Sequence, residues 1–196
     1  MKNNNSKITN IITVFINRVS NINSKPNEEW SVIESEKPNQ IKLAVYAIIL
    51  AAISFLAIFI KFAFIGTEGY PEGNITMGLE YGLYHFFSSL IMAYILAWFV
   101  DLRAISNNSS KDFGRSLQLV IYSFTPYWLA GVIYIFGLNF QAIIQVIGLF
   151  SIYLIYLGLP IIKKTPNDKV LIYMINIVIG IFILRYLLGI LPAYIF

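Results

Sequence analysis

The chain has no cysteine and a single histidine, His85. Without cysteine there is no disulfide, no thiolate nucleophile and no cysteine-held metal. With one histidine, no multi-histidine metal centre can form within one chain. Charge is also scarce: 12% of the residues are Asp, Glu, Lys or Arg, against roughly a quarter in a typical soluble domain. There is no Gly-x-Ser-x-Gly elbow, no His-Glu-x-x-His and no phosphate loop. His85 stands at helical spacing from Ser88 and Ser89, but the hydrophobic runs contain no paired acids. The expectation is a protein with no catalytic residues, no cofactor and no metal, and not an enzyme. No basic stripe interleaves with exposed aromatics, which argues against a nucleic-acid partner.

What fills the chain instead is apolar: 58% of the residues are hydrophobic. About 20 such residues in a row are needed to cross a bilayer as a helix. Five runs meet that length: Leu43–Ile65, Tyr81–Val100, Leu117–Gly137, Phe140–Ile162, and Val170 to near Phe196. Lipid offers no partner to backbone polar groups, so these runs are expected to be helical despite their Ile, Val and Tyr content. The fold expected is all-α: a polytopic membrane protein with five transmembrane helices. Residues 1–40 form a polar N-terminal segment and residues 41–196 the membrane domain. The first run begins after about forty polar residues and exceeds a signal-peptide core of 7–15 residues, so it reads as a retained span. The fifth run is long enough to need a tilt, or a break near Gly189 and Pro192.

Twelve of the fourteen basic residues lie in three places. Lys2, Lys7, Arg18, Lys25, Lys37 and Lys42 precede the first run. Arg103, Lys111 and Arg115 separate the second from the third, and Lys163, Lys164 and Lys169 the fourth from the fifth. The alternate loops have none. The positive-inside rule then puts the N-terminus in the cytoplasm and the C-terminus outside. Asp101 and Asp112, beside Arg103, Lys111 and Arg115, read as part of a solvated, charge-balanced loop.

Within the N-terminal segment, Ile8, Ile11, Ile12, Phe15, Val19 and Ile22 recur at spacings of three and four. That pattern predicts an amphipathic helix. It either lies in the membrane surface or packs on the cytoplasmic ends of the spans. A second short helix is expected from Pro26, which suits a first helical turn, with Glu28 and Glu29 at its positive end. Trp30 and Ile33 share its face as candidate interface anchors. Pro38 ends it.

Two places break helical regularity. Pro126 lies inside the third span and frees the Tyr122 carbonyl, with Ser123 and Thr125 at hand to satisfy it. Pro160 weakens the end of the fourth span, and the turn after it carries Thr165, Pro166 and Asp168. These are placed as N-cap, first and third helical residues of the fifth span. Gly158 allows a neighbouring helix to come close, and Ala47, Ala51, Gly180 and Gly189 are further packing candidates.

The stretch Tyr153-Leu-Ile-Tyr-Leu-Gly-Leu-Pro-Ile-Ile-Lys-Lys-Thr-Pro-Asn-Asp-Lys169 resembles the hallmark of the YIP domain family, the Ypt/Rab-interacting-protein family, in its bacterial branch. Three further pieces resemble that family in order. They are Lys25-Pro-Asn-Glu-Glu-Trp-Ser-Val-Ile-Glu-Ser-Glu36, Asp101-Leu102, and Tyr122-Ser-Phe-Thr-Pro-Tyr-Trp-Leu-Ala130. The resemblance covers roughly residues 20 to 190. It implies five spans, a cytoplasmic N-terminus and, through the bacterial branch, a bacterial cytoplasmic membrane. The Asp-Leu-Tyr-Gly-Pro-type motif of eukaryotic members is absent, so binding to Rab-type GTPases is not carried over. What the resemblance leads to is a non-enzymatic membrane scaffold or interaction partner. Its partners would be membrane lipid and a membrane or cytoplasmic protein, with a homo-oligomer left open by the small-residue faces.

The alternative is a small transporter or channel. Ionisable groups at membrane depth are functional candidates by default. By helical rise, Lys61 lies about 27 Å from the cytoplasmic start of the first span and Arg185 about 22 Å along the fifth. Glu80 stands at the outer mouth of the second span, His85 about 8 Å deeper, and Gln141 and Gln145 share a face of the fourth. These six could line an outward-opening polar pocket. Equally, Lys61 and Arg185 could snorkel to the headgroups, with Glu80 in water.

Overall fold

The computed structural model describes residues 2–67 and 69–190, and the described residues carry no β-strand beyond an isolated bridge between Thr67 and Tyr70. Eight α-helices follow in order: α1 (Lys2–Ser24), α2 (Pro26–Ser35), α3 (Gln40–Ile60), α4 (Ile75–Arg103), α5 (Phe113–Ser123), α6 (Thr125–Ala130), α7 (Gln141–Ile162) and α8 (Asn167–Ile190). A π-helical turn, Lys61–Ile65, extends α3, and a 3₁₀ segment, Gly131–Phe136, extends α6. Five units are long and apolar enough to span a membrane: Gln40–Ile65, Ile75–Arg103, Phe113–Phe136, Gln141–Ile162 and Asn167–Gly189. The chain is thus all-α, with the number of spans expected. Pro192 lies outside the described residues.

Asparagine and aspartate caps set three of the starts. Asn39 accepts from the Lys42 amide at 3.0 Å, Asn74 from Met77 at 3.0 Å and Asp112 from Arg115 at 3.1 Å. Each satisfies an amide that has no partner in the first turn. The Asn74 cap starts α4 six residues before Tyr81, so Glu80 is inside the helix and exposed on its second turn, not at its mouth.

The third span is the centre of the bundle: 67% of its apolar window is buried, against 22–44% for the other four. It is also the irregular one. α5 stops at Ser123, and α6 begins with Thr125 and Pro126. The carbonyl of Tyr122 receives the Thr125 hydroxyl at 2.7 Å. Because that proton is committed, the Tyr46 hydroxyl donates to the Thr125 oxygen at 2.8 Å. The proline defect is therefore closed by a relay of two hydroxyls that also ties the first span to the third. Farther along, a Cβ on Gly131 would stand 3.0 Å from the Ser54 Cα, so the two backbones touch there.

The outer surfaces of the spans are apolar. Ile48, Ile49, Leu56, Leu83, Phe87, Ile91, Leu171, Ile175 and Phe182 are all exposed large hydrophobic side chains. In water so large an apolar surface would be a liability; in a bilayer it is the solvated face.

The N-terminal helices join the same core as the spans. Ile22, Trp30 and Ile33 are fully buried in one cluster with Leu43, Leu50, Leu119, Trp128 and Leu159. Trp30 and Ile33 are therefore internal packing residues and not interface anchors. The amphipathic face expected for α1 is divided. Phe15, Val19 and Ile22 turn into the bundle, whereas Ile11 and Ile12 are 69% and 52% exposed. Phe15 packs on Tyr46 with ring centres 5.1 Å apart, which places this part of α1 against the flank of the first span.

Gly158 is where α2 meets α7. A Cβ there would lie 2.9 Å from the Trp30 indole and would also strike Leu119. Gly158→Val is expected to destabilise the protein by about 1–3 kcal/mol through overpacking. It should raise the fluorescence exposure of Trp30 before global unfolding, measured by SDS titration in mixed micelles with quencher.

Candidate functional site

Basic side chains collect at one end of the bundle, with α1 and α2, and here the four stretches that carry the family resemblance come together. Trp30 from the first stretch lies on Gly158 of the last. Asp101, at the end of the second span, receives the Lys163 ammonium at 3.1 Å. That ammonium also donates to Ser116 Oγ at 2.6 Å and to the Asp112 carbonyl at 3.0 Å. The Lys163 side chain is completely buried. Its burial pushes the ammonium below the ordinary lysine pKa, while the bond to Asp101 opposes that shift. Asp101 is therefore not part of a solvated loop; it is the counter-ion of a buried lysine.

A second charged cluster fixes α1 and α2. Arg18 donates to Glu29 at 2.5 Å and to Glu36, and its guanidinium lies 5.2 Å over the Tyr122 ring. Arg115 then reaches the Glu36 carbonyl at 3.0 Å and Gln118 at 3.1 Å. At the surface, Lys164 pairs with Glu34 at 2.8 Å and holds the Glu34 carboxyl below the usual carboxylate range.

The turn into α8 differs from the expected cap. The Thr165 hydroxyl pairs with Ser109 Oγ at 2.9 Å, and α8 starts at Asn167, with Asp168 exposed in its first turn. Lateral contact with the preceding loop has taken the hydroxyl that the local pattern assigned to capping. Pro166 lies just before the helix, and Pro160 is absorbed inside α7, which ends two residues later at Ile162.

At the opposite end, the structure brings together part of the polar set. His85, Gln141 and Arg185 line a pocket of about 150 Å³ together with Tyr84, Ser88 and Tyr127. Gln145 and Arg185 line an adjoining cleft of about 280 Å³. Glu80 and Lys61 line neither. Glu80 is exposed, and the Lys61 stem passes near Gly137, where a Cβ would stand 3.6 Å from its Cε. Among the described residues Arg185 has no carboxylate partner. Tyrosines surround it instead: Tyr127 stands beside it, and Tyr84 bonds the Leu188 carbonyl at 2.6 Å. The His85 ring packs 4.8 Å from that of Tyr134. Ser88 and Ser89 donate back to the carbonyls of His85 and Phe86, at 3.3 and 3.0 Å, so neither is directed at the imidazole. Sequence spacing pointed to His85 and Arg185 but not to the tyrosines, whose amphipathic rings are unexceptional in any span.

These features define a multi-pass α-helical membrane protein with a charge-locked basic end and a polar pocket at the other. A model of the Yip1 domain matches residues 22–188, and the chain belongs to that family. Among curated proteins and among solved structures, nothing matches significantly.

Proposed function

We propose that this Yip1-family protein is a non-enzymatic membrane scaffold. In this reading its basic end faces the cytoplasm of a bacterial cell, and it works through protein contacts there. The observation that carries the reading is the locked N-terminal unit. Arg18, Glu29 and Trp30 tie α1 to α2 and α2 to the spans, while Ile11, Ile12, Val14 and Ile16 remain exposed on α1. A pre-organised surface loses less entropy on binding than a free tail would. Transport has less support. Two of its six candidate residues lie away from the pocket, and below Arg185 the lining turns to Phe124, Ile152, Ile155 and Ile181, which offer nothing to a desolvated polar solute.

Crosslinking and affinity purification of the full chain from its native membrane tests the proposal. A specific partner should be recovered by the wild type and reduced at least about fivefold by an Ile11→Ser/Ile12→Ser variant, the scale of losing about 1 kcal/mol of contact. An unchanged set of captured proteins would sink the scaffold reading.

A further inference from the structure

We infer that the Arg185 pocket and the cleft beside it form a binding site for one anionic phospholipid. The phosphate would lie at Arg185 and one acyl chain between α7 and α8. The two spaces share Arg185, Tyr127 and Met92, so together they form one amphipathic site. Its upper part is polar: Arg185, Tyr84, Tyr127, Gln141 and Ser88. Its lower part is a half-open slot walled by Val146, Leu149, Ile152, Ile155, Ile181 and Phe182.

Charge decides the class of headgroup. Arg185 is a half-buried guanidinium with no acidic partner among the described residues. An unpaired cation at membrane depth is costly, and a phosphate is the group its planar fork fits best. Length decides that the ligand has a tail. From Gln145 to Ile155 the slot follows α7 for about 15 Å by helical rise, close to half of a roughly 30 Å hydrocarbon core. A free phosphate would leave the slot unused. This inference is independent of the scaffold reading, because it concerns the other end of the bundle.

The test is native mass spectrometry of the delipidated full-length protein, titrated separately with dioleoylphosphatidylglycerol, dioleoylphosphatidylcholine and glycerol 3-phosphate. Both lipids offer a phosphate, but the choline ammonium of phosphatidylcholine brings a second positive charge to Arg185, so phosphatidylglycerol should bind roughly tenfold more tightly. Arg185→Gln should bring the two lipids to within about twofold. Val146→Trp, at a position 67% exposed and outside the core, should weaken phosphatidylglycerol by narrowing the slot while leaving the melting temperature unchanged. Equal binding of the two lipids by the wild type would overturn the proposal. So would an Arg185→Gln protein that melts normally and keeps the preference, or glycerol 3-phosphate binding as tightly as the whole lipid.

Discussion

Lys163→Met is expected to destabilise the protein by about 3–5 kcal/mol, the cost of removing one partner from a buried ion pair. The substitution keeps most of the aliphatic stem, so the loss is electrostatic rather than steric. What remains is Asp101, whose side chain is 13% exposed, with only the Ser116 hydroxyl at 3.1 Å to replace the ammonium. The Asp112 carbonyl loses one of its donors but keeps the Ser116 amide and hydroxyl. Lys163→Arg should not rescue, because a planar five-donor fork does not fit where a compact ammonium meets three oxygens. Removing both charges should: the Lys163→Met/Asp101→Leu double variant is expected to recover most of the stability, since the penalty lies in the orphaned carboxylate. SDS-driven unfolding of the wild type, both singles and the double in mixed micelles gives the complete cycle. A double variant as unstable as the sum of the singles would show that the pair is not coupled and that the loss comes from packing.

The second large effect is expected at Arg18. Arg18→Met leaves Glu29 with a side chain 7% exposed and its ion pair gone, again about 3–5 kcal/mol. Glu36 contributes little to this, because its side chain is 46% exposed and water can replace the guanidinium. The damage should be local first. Arg18 is the polar tie among α1, α2 and the Tyr122 ring of the third span, so its loss should free residues 2–24 while the five spans stay assembled. Limited proteolysis in detergent should show early cleavage between α1 and α2 in Arg18→Met, and much slower cleavage in Arg18→Met/Glu29→Met. Cleavage at the wild-type rate in the single variant would contradict the assigned role.

The five spans were readable because a bilayer imposes a length and a composition on each segment separately, and no distant residue alters that requirement. Pro126 was readable for the same reason: the missing hydrogen bond is local, and its remedy, Thr125 on the Tyr122 carbonyl, is three residues away. Local pattern also placed Thr165 as a cap, and there it failed, because Ser109 is a better partner that becomes available only when the loops meet. Trp30 and Asp101 failed alike. Amphipathic and charged residues near a membrane boundary look the same in sequence whether they face headgroups, water or a neighbouring helix.

The polar set shows the same division. His85 and Arg185 were visible one by one as ionisable groups at depth, and Gln141 and Gln145 as neighbours on one helix face. That Arg185 joins His85 and Gln141 while Glu80 and Lys61 stay apart depends on how α4, α7 and α8 rotate about their axes. Rotation is a packing property set by pairs such as Gly158 with Trp30 and Gly131 with Ser54, and no single segment carries it. By itself, then, the amino-acid sequence determined a membrane protein, its five crossings and the motif order of its family, through length, hydropathy and short-range chemistry. Only the tertiary structure decided which charges are buried together, that the N-terminal helices belong to the core, and where a cation with no acidic partner among the described residues meets an apolar slot. Each of those is a contact between residues far apart in the chain.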